Sequence, residues 1–517
     1  MAQQKYTISL QDTVFPMLSE QQTRTVIGNT VGQAPSEVEK PGVAYMHNVM
    51  PTRYGMDSIG YTARVGDIAD PALPTADAME EVRIVFTDAL VSKRFYIAFS
   101  DAGYSFYLSD IGVAWNTMLL QIPGLALGVF DRNSVTTATV NRVTYLYYAN
   151  LGMFKFDNVG PLGVTMVVQA TTGITSADVL GVVASSGYLI AYTKDSIAWS
   201  STLVPTDFVP SQVTGAGGGV VAGLDGDIIF ATSNSLGVLI YTVNNIVAGT
   251  YTGNALFPFK FREVDNSRGG IDLDNTAWQA NAVGQFVYTK AGLQSVSSQK
   301  ATTILPEVTD FLSGTRFEDY NETTKQLEIT NIPGFSYVTQ LIRKVKLVSA
   351  RYLILSYGLP GTVFTHAIVV DTVLNKIGKF KIDHVDVFEY VQDTTVVAKQ
   401  SIAFMGSRGK VDIVDFSVDG NHTGVLILGK LQATRTRGLG LMGASVENVI
   451  EGDTLDFFSN ASLDGKNFTN VPSYLVSTAA NVRDYAFRSS ALTHSLTFIG
   501  SFNLVTVQIA YRIEGRR

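Results

Sequence analysis

Apolar and aromatic residues in this chain recur in a fixed phrase, two short strand-like runs joined by a polar or glycine turn. Seven such phrases lie between residues 93 and 416: KRFYIAFSDAGYSFYL, TYLYYANLGMFKF, GYLIAYTKDSIAWS, DIIFATSNSLGVLIY, QFVYTKAGLQSVS, RYLILSYGLPGTVFTHAIVVD and IAFMGSRGKVDIVDF. Their turns centre near Gly103, Gly152, Asp195, Asn234, Gly292, Gly358 and Gly409, at steps of 49, 43, 39, 58, 66 and 51 residues. Within a phrase the bulky residues alternate. Tyr188, Ile190 and Tyr192, then Ile197 and Trp199, fall near period two, the spacing of a strand with one buried face. Short strands recurring at about 40 to 50 residues predict a radial all-β array, a β-propeller in which each repeat is one blade.

The pattern changes at both ends. Residues 1–80 carry scattered Pro and Gly, and Pro35, Pro41 and Pro51 break any helix that residues 19–26 begin. This stretch predicts an irregular N-terminal arm that docks on a partner. Residues 81–421 are assigned to the propeller, with insertions near 248–270 and 302–338 to account for the two longest steps. Within it, Pro205 and Pro210 in WSSTLVPTDFVPS fix the backbone around Asp207 and Phe208 as a rigid loop between blades. From residue 422 the runs alternate more widely and end in a strong final strand, predicting a smaller β-sandwich-like domain over 422–517 on which the arm is a candidate to pack. The tail Ile513 to Arg516 matches a protease tag site but continues the alternation, so it reads as part of that strand.

Composition agrees with an all-β chain: 46% of residues are hydrophobic, only 16% are charged, and Gly, Tyr and Phe number 46, 23 and 28 among 517. Cysteine is absent, which excludes disulfides, thiolate metal sites and cysteine nucleophiles. No run of 18 apolar residues occurs, and the first residues lack the basic head and apolar centre of a signal peptide, so the expectation is a soluble protein made in a cytoplasm. The net charge of -7 argues against a surface that grips nucleic acid throughout. Residues 1–340 hold 19 basic against 30 acidic residues, and 341–517 hold 19 against 15, with no dense basic run.

Candidate chemistry is sparse. The five histidines, His47, His366, His384, His422 and His494, show no helical zinc spacing, and His366 and His384 read as turn or edge residues. No G-x-S-x-G elbow occurs, so no nucleophile is assigned, and no catalytic, cofactor or metal residue is expected. The run Gly215, Gly217, Gly218, Gly219 and Gly223 lacks the Lys-Ser/Thr and helix of a phosphate cradle and reads as a tight turn or blade junction. Asp265, Asn266, Asp272, Asp274 and Asn275 offer oxygen ligands, but their spacing departs from an EF-hand loop. Asp-box turns, the mark of sialidase-like propellers, are incomplete at Asp101, at Asp110 and at SLDG, residues 462–465, and Glu80 and Glu81 read as a solvated face. In IRKVK and TRTRG, alternation puts Lys344 with Lys346, and Arg435 with Arg437, on one side of a strand. Each pair is either solvent-facing or, repeated around a ring of subunits, a weak basic belt touching phosphate without reading sequence.

Several stretches together resemble the tail nozzle, or tail tubular, proteins of short-tailed bacteriophages, including packaged-DNA stabilisation proteins. They are KPGVAYMHNVMPTRYGMDSIGY, IAWSSTLVPTDFVPS with the glycine run and GDIIFATSNSLGVLIYT, RYLILSYG with VVDTVLNKIGKFKIDH, and the closing SLDGKNF and SLTFIGSFNL. None is a catalytic signature. The resemblance implies a non-enzymatic virion protein without cofactors, assembled in the bacterial cytoplasm as a homo-oligomeric, hexameric ring at the distal end of the tail. Such a ring would retain packaged double-stranded DNA, conduct it at ejection and dock the tail adaptor and the fibre or spike proteins. Arg435 and Arg437 are the candidate DNA-channel contacts. The alternative is a propeller that binds or hydrolyses carbohydrate, its aromatic residues serving as sugar platforms.

Overall fold

The computed structural model describes residues 4–10, 25–26, 43–65, 79–88, 93–100, 104–108, 116–126, 131, 134–158, 164–234, 237–255, 257–267, 278–280, 285–289, 292–306, 316–321, 323–324, 326–331, 342–348, 351–359, 363–374, 376–392, 399–415, 423–432, 437–448, 455–463, 469–479 and 481–516. Among them the named elements are all strands. Five antiparallel four-stranded sheets follow one another in sequence: blade 1 over 79–121, blade 2 over 135–169, blade 3 over 181–220, blade 4 over 228–263 and blade 5 over 278–303. Blade 6 spans 342–384. Blade 7 takes three strands from 386–415 and its outermost from Gly60–Val65, which pairs with Val411–Asp415.

The first strand of each blade contacts the first strand of the next, and Asp386–Gln392 of blade 7 contacts Met79–Asp88 of blade 1, so the seven inner strands form a closed ring. Ring closure lets each blade pack both faces of its inner strands on two neighbours. The core is accordingly divided among the blade interfaces. Ile97 and Phe99 of blade 1 meet Leu146 and Phe154 of blade 2. Tyr147 meets Leu189 between blades 2 and 3, and Ile190 meets Ile240 between blades 3 and 4. Tyr96 of blade 1 closes the circle against Phe388 of blade 7, ring centroids 5.2 Å apart.

Six of the seven sequence phrases are the second and third strands of their blades. The fourth, around Asn234, is the first and second, Ile228–Asn234 and Gly237–Thr242. The step of 58 residues to Gly292 therefore measures one strand more than a blade, and residues 246–251 and 259–263 are the third and fourth strands of blade 4. Between blades 5 and 6 a separate hairpin, Arg316–Asn321 with Gln326–Asn331, stands outside the blade sheets.

The second unit is a sandwich of two sheets built from both ends of the chain. In one sheet Gly424–Gln432, Thr493–Gly500, Leu455–Ser462 and Thr469–Pro472 run in that order, with Thr25–Val26 and Val43–His47 also on Gly424–Gln432. The other runs Tyr474–Ala479, Val482–Ala491, Arg437–Asn448 and Asn503–Arg516, with Gln4–Ser9 and Met56–Ser58 on the last. Leu439, Leu441, Leu496, Phe498 and Val507 fill the space between the sheets.

The two units share hydrogen-bonded sheet. Met56–Ser58 continues through Val49–Pro51 to Lys376–His384, the outermost strand of blade 6, with Lys379 opposite Val49. Gly378 permits that contact, since a Cβ there would lie 2.7 Å from the Val49 carbonyl oxygen and 3.1 Å from Met50 Cα. Gly378→Ala should therefore push the bridge apart at about 1 to 3 kcal/mol. In calorimetry the variant should show the two units melting separately, whereas the parent melts them together.

Candidate functional site

Among the described residues, a compact group of buried ionisable side chains lies where the 316–331 hairpin, the outer strands of blade 6 and the N-terminal strands meet. Asp319 projects from the hairpin and accepts from Lys381 Nζ at 2.8 Å through Oδ1 and 3.0 Å through Oδ2. His366, 1% exposed in Phe364–Asp371, sets Nε2 3.4 Å from Asp319 Oδ1, and its Nδ1 shares a hydrogen bond with Thr365 Oγ1 at 2.9 Å. Lys379 is 2% exposed and holds its ammonium 4.5 Å from the centre of the Tyr45 ring. His47, fully buried, shares a hydrogen bond with the Tyr45 hydroxyl at 3.2 Å and meets the Tyr320 ring edge-on.

Enclosure dominates the electrostatics. Burial, aided by the Lys381 and Lys379 charges, drives the His47 pKa down to about 3. Burial also lowers His366 to about 4, against the opposing pull of Asp319. Burial alone would raise the Asp319 carboxyl, but hydrogen bonds from His366 and Lys381, with their charges, hold it below the usual carboxylate range. Both imidazoles are therefore neutral at neutral pH. They pair with fixed partners inside the fold, and this arrangement clamps three chain segments together. Asn48 completes the clamp. Held at φ 49°, it accepts from Lys381 N at 2.9 Å and the Tyr61 hydroxyl at 3.3 Å, and its amide reaches the Thr423 carbonyl at 3.4 Å.

Other residues singled out in the sequence lie elsewhere. His384 is buried at the end of Lys376–His384 rather than exposed at an edge. It donates from Nδ1 to the Ile382 carbonyl and accepts from Ser356 at Nε2, both at 2.8 Å. His494, fully buried, donates from Nε2 to the Leu439 carbonyl at 2.8 Å. The glycine run forms a strand, Gly217–Val220, the outer edge of blade 3, where the turn reading expected a junction. A Cβ on Gly217 would lie 2.9 Å from the Trp199 ring, whose Nε1 donates to the Gly215 carbonyl at 3.0 Å. The glycines thus let the indole lie against the edge strand. Asp265 and Asn266 line an open depression with Glu263 and Lys300, while Asp272, Asp274 and Asn275 fall outside the described residues. Among the described residues no cluster of His, Asp and Glu has the makings of a metal site.

Arg435 also falls outside the described residues, as do His422 and the Asp-box positions 101, 110 and 464. Arg437 begins the sandwich strand Arg437–Asn448, its backbone opposite Arg516. Lys344 and Lys346 lie on Ile342–Val348, the inner strand of blade 6, opposite Ser356 and Ile354. Sequence reasoning missed the Asp319 clamp, because its members come from three distant segments, around His47, Asp319 and the His366–Lys381 hairpin, and no local spacing joins them.

Seven radial four-stranded sheets with a closed inner ring define a seven-bladed β-propeller, here fused to a β-sandwich. No family model matches the chain, and no curated protein matches it. Among solved structures, the N-terminal domain of Nup159 is similar at 8% identity and a TM-score of 0.25, over 72% of this chain and 88% of that one. A chain of the S. cerevisiae Dbp5 complex with Nup159, Gle1, IP6 and ADP aligns at 9% identity and 0.24, covering 55% and 87%. The AfRom2 CNH domain aligns at 10% and 0.24, covering 66% and 94%. At these scores the fold assignment rests on strand order and ring closure.

Proposed function

We propose that this protein is a structural, non-catalytic virion component, the subunit of a distal tail-nozzle ring of a short-tailed bacteriophage. In this reading the ring conducts and retains double-stranded DNA and docks the tail adaptor and the fibre or spike proteins. The reading starts from the sequence resemblance. The observation that carries it is the sheet running without interruption from blade 6 into the sandwich, pinned by Asn48 and the Asp319 clamp. Such a join suits a subunit that must hold its shape under load, because the two units cannot hinge without breaking ladder hydrogen bonds. The clamp's buried, mutually paired groups favour a mechanical over a catalytic role for the best-built polar cluster. Arg435 and Arg437 remain the proposed contacts to DNA phosphate, to be read as a shallower salt dependence of DNA retention when both are changed to Gln.

The test is the mass and shape of the purified protein, by mass photometry and negative-stain imaging, alone and with tail proteins. The expected result is a ring with an open axial channel. A chain that stays monomeric with tail proteins and binds or cleaves glycans on an array would replace this reading with the carbohydrate one.

A further inference from the structure

Three stretches of the chain, 199–224, 244–259 and 469–479, hold one charged residue between them, in a protein where 16% of residues are charged. They form two separate exposed surfaces. The first joins the loop and edge strand of blade 3 to the tip of the outer hairpin of blade 4, short of the exposed charges Lys260, Arg262 and Glu263, and exposes Leu203, Val204, Val209, Val213, Val220 and Phe257, with Val213 94% exposed. The two parts meet at Gly215, where a Cβ would lie 3.7 Å from the Ala255 carbonyl oxygen. The single charge, Asp207, is partly buried and engaged within the loop, accepting from Thr172 Oγ1 at 2.8 Å and from Val209 N at 3.1 Å. Buried Phe208 anchors the loop between these contacts, so its apolar side chains are presented on a fixed backbone.

The second surface is the side of the sandwich. Thr469–Pro472 ends one sheet and Tyr474–Ala479 ends the other, so a single run of chain forms the free edge of both. Tyr474, Leu475 and Val476 are 71%, 55% and 65% exposed in succession. Soluble proteins ordinarily protect such an edge with charge, and exposed apolar patches of this kind mark association surfaces. Blade 3 has a matching free edge, Gly217–Val220, equally uncharged and with small side chains that leave its backbone approachable.

We propose that these two surfaces bind each other between copies of the chain, the sandwich edge 469–478 of one subunit seating on the blade 3–4 flank of the next. Polarity selects the occupant. A charged partner would lose its hydration on either surface without gaining an opposite charge, whereas each surface matches the other's lack of charge. Self-pairing of the sandwich edge would cover one surface and leave the other in water, while the head-to-tail contact covers both. A heterologous contact of this kind builds a ring if its rotation closes and a filament if it does not. The inference deepens the ring reading above and rests on it for closure, but not for the contact itself.

The absence of cysteine makes the test clean. Val213→Cys and Val476→Cys chains, carrying tags of different size, are mixed and oxidised, with Val373→Cys, at a site 71% exposed, as the control partner. The expected result is a disulfide-linked pair containing one of each, at least tenfold more abundant than with the control. A doubly substituted chain should run as a ladder. Cross-links only between like chains, no excess over the control, or a monomer throughout would overturn the contact. Imaging separates the two ideas: closed rings without the mixed cross-link sink the contact and spare the ring reading, and cross-linked open filaments do the reverse. Leu203→Asp with Tyr474→Asp, both at exposed sites that leave folding intact, should lower the assembled fraction at least tenfold.

Discussion

Changing Tyr61 to Ala should cost this protein about 3 to 5 kcal/mol, the loss expected when a large aromatic is removed from a packed core. Tyr61 is 2% exposed on the strand that closes the propeller. Its ring stands edge-on to Phe380 of blade 6 at 6.2 Å and Phe404 of blade 7 at 5.9 Å, and its hydroxyl donates to Asn48. Truncation therefore opens a cavity at the seam, leaves Asn48 short of a partner and loosens the strand that holds the circle shut. The expected readout is a fall in thermal midpoint of several degrees with earlier exposure of blade 7 amides in hydrogen exchange. Tyr54→Ala, at a site 63% exposed, should leave both unchanged. Equal loss in the two variants would show that the seam is not where the ring yields.

Acid should weaken the fold above the pH at which ordinary carboxylates titrate. His47 and His366 have folded-state pKa values near 3 and 4, below the unfolded value of about 6.5, because burial disfavours their charged forms. Below about pH 6.5 the unfolded chain takes up protons that the folded chain refuses, so their contribution is complete above that pH and falls as pH drops toward 4. Asp57 works in the opposite sense. Burial raises its carboxyl to about 6, so between about pH 6 and 4 the folded state gains a proton first. Two larger shifts outweigh one smaller shift, and the net loss is of the order of a few kcal/mol by pH 4. Below about pH 4 protonation of Asp319 adds to it, since its folded pKa is depressed. Thermal midpoints from pH 7.5 to 4 should fall steadily in the parent and less steeply in His366→Asn. A flat profile in the parent would mean that the imidazoles are not enclosed.

The blades were visible in the sequence because each writes its own signal. In GYLIAYTKDSIAWS the alternation of Tyr188, Ile190 and Tyr192 and the turn at Asp195 are local, and the structure pairs these residues as the second and third strands of blade 3. The phrase at Asn234 was in register with the wrong hairpin of its blade, because every hairpin in a propeller alternates alike and sequence does not mark which strand is innermost. Pairings across hundreds of residues left no such mark. Nothing in Gly60–Val65 names Val411–Asp415 as its partner, and the short hairpin around Asp319 carries ordinary turn residues. The clamp stayed invisible for a related reason: His47, Asp319, His366 and Lys381 acquire meaning only through burial, and polar residues in strands read as exposed. Glycine was partly misleading too, since at Gly217 it makes room for an indole rather than turning the chain.

The closing strand pair also sets a schedule. Residue 415 follows residue 65 by 350 positions, so a ribosome working at about 5 to 20 residues per second needs roughly 20 to 70 seconds to deliver the second partner after the first. Through that interval the edge of Gly60–Val65 and the growing row of blades stand open to the cell. Gln4–Ser9 waits longer still, for residues 506–511. Synthesis rate and chaperone supply, more than the strength of any single contact, will govern how much of this protein reaches its finished form when it is made quickly.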